Sequence, residues 1–216
     1  LSQLARHFAV PLAATLADLA AQDLIQLDAA TGRIRAAYPF SGVPTPHRVT
    51  LALSPAGSPH GLACQQVFAM CALDALGIPL MLRQRATIVS QDALTNEPVH
   101  LTITIAPGEP GEPGEPGEPA GKASLTTLDG WSVQWDPPGL VVYARDEGHE
   151  HEHDGGSAAA CACCPITNFF TRAAHAQQWA QTHPVVDGVV LTPGEALHRA
   201  QALFSGVLQR LEEQQP

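Results

Sequence analysis

Two cysteine-containing segments are the parts of this sequence whose residue types and spacing could do chemistry. In Cys71-Ala72-Leu73-Asp74, the thiol and the carboxylate are three residues apart, and on a helix this spacing puts both on one face. A cysteine near a helix N-terminus feels the positive end of the helix dipole, which favours the thiolate. The neighbouring carboxylate works against the thiolate while it is ionised, but it can take and return a proton. A buried core cysteine beside a capping aspartate is the alternative interpretation.

The second segment is Cys161-Ala162-Cys163-Cys164-Pro165, in which adjacent thiolates would suit a soft metal. It does not match a zinc ribbon, because the chain has no second pair of cysteines with the required spacing. Ordinary reduced thiols are the alternative. Five unevenly placed cysteines do not fit a disulfide scaffold, so the sequence predicts reduced thiols and a cytoplasmic location.

Composition limits the possible functions. The 216 residues are 45% hydrophobic, which is enough for a buried core in one large domain or two small ones. The formal net charge of −10 argues against nucleic acid or an anionic membrane as a partner, because phosphate would be repelled. The sequence contains no run of about 18 apolar residues, so no transmembrane helix is predicted.

Residues 1–36 have the pattern of a winged-helix-like unit. Leu12, Leu16 and Leu19 recur at helical spacing, and two short strands are predicted over residues 24–27 and 33–35. The candidate recognition helix has no lysine or arginine and contains an aspartate. We therefore expect a structural unit that does not bind DNA.

Residues 37–216 are predicted to form the catalytic core, so the whole chain is α+β: a winged-helix-like unit packed on small mixed β-sheets and helices. A helix is expected from about Met70, with Pro79 bending or interrupting it. Thr171 is expected to cap a later helix, and a capping box of Thr192 and Glu195 opens the last one. Strands are predicted over residues 49–53, 85–89, 99–105, 131–135, 140–143 and 189–191.

Two polar loop insertions interrupt this core, at residues 107–122 and 145–157. The first contains four Gly-Glu-Pro copies over residues 108–119, and the second alternates His149, His151 and His153 with glutamates. A mobile loop without fixed coordination geometry is favoured over a metal site for the histidines.

Two motifs resemble the organomercurial (alkylmercury) lyase family. The segment Val67-Phe68-Ala69-Met70-Cys71-Ala72-Leu73-Asp74-Ala75-Leu76-Gly77-Ile78-Pro79 looks like the active-site helix of that family. Cys164-Pro165-Ile166-Thr167-Asn168-Phe169-Phe170, followed by Trp179-Ala180, resembles the segment with its second cysteine. The resemblance covers most of the chain outside the insertions.

The resemblance implies protonolysis of a carbon–mercury bond, which yields a hydrocarbon and Hg(II). Cys71 and Cys164 would be the mercury-binding thiolates and Asp74 the proton shuttle, and the three would hold the product Hg(II). A one-residue gap in the alignment would instead make Cys163 the second thiolate. Better-known members have a further cysteine, interpreted as structural, at the position of Asp92.

We therefore expect an organomercurial substrate and no cofactor, with Hg(II) bound only as product. Low-molecular-weight thiols or a mercuric reductase would accept that Hg(II), and neither nucleic acid nor a membrane would be a partner. The alternative function on the same fold is a non-catalytic thiolate protein that sequesters or transfers mercury, copper or zinc. Retention of Asp74 favours the enzyme, because a metal trap needs no proton donor.

Overall fold

The computed structural model describes residues 11–22, 24–52, 64–105, 124–128, 130–146, 164–183 and 188–204. These residues form a mixed α+β fold. Its helices are α1 (Leu12–Ala21), α2 (Ala72–Leu82), α3 (Ala173–Thr182) and α4 (Pro193–Phe204). Its strands are β1 (Ile25–Leu27), β2 (Ile34–Ala37), β3 (Phe40–Ser41), β4 (Arg48–Ala52), β5 (Cys64–Ala69), β6 (Ala86–Gln91), β7 (Pro98–Ile105), β8 (Ser124–Leu128), β9 (Trp131–Asp136), β10 (Val141–Arg145), β11 (Asn168–Phe170) and β12 (Gly188–Leu191).

One large antiparallel sheet dominates the fold. Nine strands lie in the order β1-β2-β3-β5-β4-β6-β7-β9-β8, and a separate three-stranded antiparallel sheet has the order β11-β10-β12. The prediction of small mixed sheets is therefore wrong. The sheet becomes large because β4 pairs with β5 on one side and β6 on the other, while β3 extends the β5 edge.

Helix α2 is the centre of the core. Every residue from Ala72 to Met81 is buried, and the helix packs against α4 and strands of both sheets. Pro79 lies inside the helix without ending it, so the expected interruption does not occur. At Gly77, a Cβ atom would overlap the ring of Phe204, so glycine is what allows α4 to approach this closely.

The first part of the chain joins the large sheet directly. Helix α1 precedes the β1–β2 hairpin, as expected, and β2 then pairs with β3. The first ten residues lie outside the described part of the chain, so the winged-helix unit remains a prediction. The predicted boundary between residues 1–36 and 37–216 falls within β2. None of the helices in the described ranges is long and apolar enough to cross a membrane.

The two capping predictions have different outcomes. The Thr192 and Glu195 capping box is confirmed: the Thr192 backbone N–H donates to Glu195 Oε2 at 2.7 Å, and the Glu195 N–H donates to Thr192 Oγ1 at 3.3 Å. The Thr171 cap is wrong, because Arg172 is the N-cap of α3 and makes no side-chain cap. Both insertions lie almost wholly outside the described residues.

Candidate active site

Cys71 is the N-cap residue of helix α2. Strand β5 ends at Ala69, and the extended backbone of Cys71 (φ −150°, ψ 179°) turns the chain into the helix. Its Sγ accepts a hydrogen bond from the backbone N–H of Asp74 at 3.4 Å. The expected contact between these two residues is therefore a helix cap, and it places the Asp74 carboxyl beside the thiol.

Cys164 meets this pair from the segment that leads into β11. Its Sγ–H donates to Asp74 Oδ2 at 3.6 Å, and the ligand atoms of Cys71, Asp74 and Cys164 all lie within 4.8 Å of one another. All three side chains are buried. The structure thus brings together the three residues named from the sequence. Cys161 and Cys163 lie outside the described residues, so the structure places Cys164 beside this pair and does not test the alternative at Cys163.

A main-chain hydrogen bond joins the two cysteine-bearing segments. The backbone N–H of Ala72 donates to the carbonyl of Thr167 at 3.1 Å, directly after one cysteine and three residues after the other. The first N–H groups of a helix have no partner within it, so this bond also satisfies an orphan donor of α2. The separation of the two thiols is therefore linked to the backbone.

Burial sets the protonation states at this site. Burial raises the pKa of the Cys71 thiol, and the Asp74 charge adds to that rise, while a hydrogen bond with Cys164 opposes it. Burial also raises the pKa of Asp74 to about 6, against hydrogen bonds from Cys71, Cys164 and Tyr38. The helix dipole alone would favour the Cys71 thiolate, but burial and the neighbouring Asp74 carboxylate raise the pKa of this thiol. Near neutral pH, the site pairs a neutral thiol with an ionised carboxylate.

Tyr38 is a site residue that the sequence did not reveal. Its hydroxyl hydrogen-bonds the Asp74 carboxylate, and its ring stacks on Phe204 with centroids 5.5 Å apart. The next residue, Pro39, accepts a hydrogen bond from the backbone N–H of Met70 at 3.2 Å. Tyr38 lies in an irregular, proline-rich segment without periodicity, so no sequence signal indicated its role.

His47 contacts both cysteine-containing segments. Its Nδ1 lies 2.9 Å from Ser90 Oγ, its ring packs edge-on against Phe169, and its carbonyl accepts the Ala69 N–H at 2.9 Å. Burial lowers its pKa to about 4, so the imidazole is neutral at physiological pH. His47 therefore contacts the end of β5 before Cys71 and the strand that follows Cys164.

Asp92 connects the turn after β6 to the end of β11. Its buried Oδ2 accepts hydrogen bonds from the Thr171 N–H at 2.7 Å, the Thr171 hydroxyl at 2.8 Å and His175 Nδ1 at 2.8 Å. Burial would raise the Asp92 pKa, but these bonds and the Leu94 N–H lower it to about 2. Glu97 completes a second cluster of possible metal ligands with Asp92 and His175. Here the Thr171 hydroxyl serves this network in place of capping α3.

We expect Asp92→Ala to lower the free energy of unfolding by about 3 kcal/mol, because it leaves several buried donors without their acceptor. Asp18→Ala, on the exposed face of α1, is the matched control and should change it by less than about 0.5 kcal/mol. Urea unfolding measures both. The Asp92 pKa is lower in the folded state, so its stabilisation should be complete above about pH 4 and disappear toward pH 2. Equal stability of both variants would contradict the network.

Two buried thiols that converge on a carboxylate with a raised pKa have the ligand chemistry that suits a thiophilic metal, here on an α+β fold. The sequence model of the MerB family, alkylmercury lyase, matches residues 40–110 and 120–205. The chain belongs to the alkylmercury lyase family.

A solved structure is similar over nearly the whole chain. The mercury-bound form of MerB2 matches with a TM-score of 0.59 and 21% sequence identity, over 97% of this chain and 80% of that chain. At this identity the match shows a shared fold. No curated protein matches the chain at a significant level.

Proposed function

We propose that this protein cleaves the carbon–mercury bond of organomercurials by protonolysis, with Cys71, Asp74 and Cys164 as the reacting groups. The observation that carries the proposal is the convergence of two buried thiols on one carboxyl, with all three ligand atoms within 4.8 Å. A single mercury atom bound by two thiolates at this spacing would lie beside Asp74. A mercury-bound relative with this fold supports the same interpretation.

The two thiols supply both the ligands and the protons. An organomercurial R–Hg–X reacts with two thiols to give R–H, a bis-thiolate Hg(II) complex and H–X. One thiol proton ends on the departing carbon and the other leaves with X. The atoms and charges balance without oxidant or reductant, so the proposed reaction uses no cofactor and Hg(II) is its product.

Asp74 moves the proton. Mercury binding lowers the pKa of a thiol, and the released proton needs an acceptor within reach. The Asp74 carboxylate lies against both sulfur atoms, and its pKa of about 6 allows it to accept a proton near neutral pH and return it to carbon. Thiolate donation to mercury makes that carbon more basic, which favours the transfer.

The fall of kcat/KM at acidic pH, the acidic limb of the pH profile, should follow the protonation of Asp74. Below about pH 6 the carboxyl is protonated and cannot accept a thiol proton, so kcat/KM should fall as pH decreases. Tyr38→Phe removes a hydrogen bond that lowers the Asp74 pKa, so the limb should move to higher pH. Tyr143→Phe, in the separate aromatic cluster around Trp179, is the control and should leave it in place. The profile is measured with phenylmercury, and an unmoved limb in Tyr38→Phe would contradict this assignment.

Hydrocarbon release is the direct test of the proposed function. The protein is incubated with phenylmercury in excess thiol, and headspace gas analysis measures benzene. Release above the protein-free rate supports the lyase. Tight binding of Hg(II), copper or zinc without benzene release would favour the metal-binding alternative. We propose that small thiols or a mercuric reductase remove the product, because a buried bis-thiolate site holds Hg(II) strongly.

A further inference from the structure

A cavity of about 250 Å³ reaches the candidate active site from the side of Cys164. It is smaller than the roughly 300–1,000 Å³ typical of sites for drug-sized ligands, so it suits a small organic group. Among the described residues that line it, Val43, Met70 and Pro165 supply apolar surface, and Arg35 is the charged one. Neither Cys71 nor Asp74 is among them, which makes Cys164 the member of the site nearest to this space.

Most polar side chains around the cavity already have partners. The Ser41 hydroxyl donates to the Val43 carbonyl at 2.7 Å, and the Thr45 hydroxyl donates to the Ala69 carbonyl at 2.6 Å. Arg35 differs: within the described ranges, its guanidinium forms no side-chain hydrogen bond or ion pair, and it acts on the Asp28 carboxylate only through Coulombic attraction. Arg35, an exposed cation on a chain with a net charge of −10, therefore lines the same cavity as Cys164.

On the basis of the proposed function, we infer that this cavity is a subsite for the part of the substrate attached to mercury, and that Arg35 binds a carboxylate carried by that part. A guanidinium pairs with a carboxylate through two parallel hydrogen bonds, which gives both affinity and orientation. Mercury bound at Cys164 would leave its substituent in the adjoining apolar space, with Arg35 beyond it. The carboxylate has two possible sources: the organic group itself, or the thiol that carries the organomercurial.

Four matched substrates separate these sources. Phenylmercury and 4-carboxyphenylmercury are each presented as adducts of 2-mercaptoethanol or of 3-mercaptopropionate. The protein variants are Arg35→Gln, Arg35→Lys, which keeps the charge, and Arg33→Gln. Arg33 is the control because it lies two residues away and lines a different cavity. The measured quantity is kcat/KM for hydrocarbon release.

We expect Arg35→Gln to lower kcat/KM roughly ten- to a hundredfold for carboxylate-bearing substrates, which is the usual value of a hydrogen bond to a charged group. Cleavage of phenylmercury on 2-mercaptoethanol should stay within about twofold. Arg35→Lys should recover part of the loss, and Arg33→Gln should behave as the parent. A loss confined to 4-carboxyphenylmercury assigns the cavity to the organic group, and a loss confined to 3-mercaptopropionate adducts assigns it to the carrier thiol.

Two results would overturn the inference. One is an unchanged kcat/KM for all four substrates in Arg35→Gln, and the other is an equal loss for all four. If the parent protein cleaves none of the four substrates, the proposed function fails, and this outcome is distinct from failure at Arg35.

Discussion

Asp74→Ala is expected to slow carbon–mercury cleavage by roughly a hundredfold or more, the usual contribution of a positioned acid or base. Hg(II) binding should persist, because two thiolates supply most of the affinity for a soft metal. Asp74→Asn should show the same loss, since an amide of nearly the same size cannot carry the proton. Agreement between these two variants separates the chemical role from a packing effect at this buried position.

Hydrocarbon release and Hg(II) affinity, by competition with a small thiol, measure this separation. Asp18→Asn, exposed on α1, is the matched control and should retain both properties. If Asp74→Asn cleaves as fast as the parent, the proton comes from another group, and a thiol is the first to test. If instead both variants lose Hg(II) binding, Asp74 is chiefly a ligand and the shuttle role is wrong.

Cys71→Ala is expected to abolish both binding and cleavage, with a loss on the order of a thousandfold or more, because the thiolate must engage mercury before any proton moves. Cys64→Ala is the matched control. Cys64 begins β5, about 17 Å from its last residue Ala69 at the usual rise per residue. It should keep activity within about twofold.

The same assay distinguishes the two possibilities for the second thiol. Cys164→Ala should resemble Cys71→Ala, because Cys164 donates directly to the Asp74 carboxylate. Cys163→Ala should retain activity. Loss in Cys163→Ala together with activity in Cys164→Ala would reverse this assignment and show that the alignment with a one-residue gap is correct.

The sequence was most informative where a local pattern encodes a local structure. Alternating apolar and polar residues predicted β7, and the Thr192–Glu195 capping box predicted the start of α4. The resemblance on the Cys71 and Cys164 segments predicted the family, which is confirmed. Those motifs also named the residues that the structure brings together, although their catalytic roles remain proposals.

The pairing of strands that are distant in the sequence could not be predicted. The large sheet depends on β3 and β4 both adding to β5, and nothing in their residues specifies that order. Tyr38 reaches Asp74 only because the chain folds Pro39 against Met70. Threonine is a common helix-capping residue, but the Thr171 hydroxyl donates instead to the carboxylate of Asp92, which is distant in the sequence. In each case a tertiary contact decided between local alternatives.

The main-chain bond between Ala72 and Thr167 has a consequence for how this family can diverge. Any residue except proline at position 72 donates the same N–H, and any residue at position 167 offers the same carbonyl. The register between the two cysteine segments therefore makes little demand on the identity of those residues. Both residues are buried, so packing, and not the bond between the segments, limits which side chains these two positions accept.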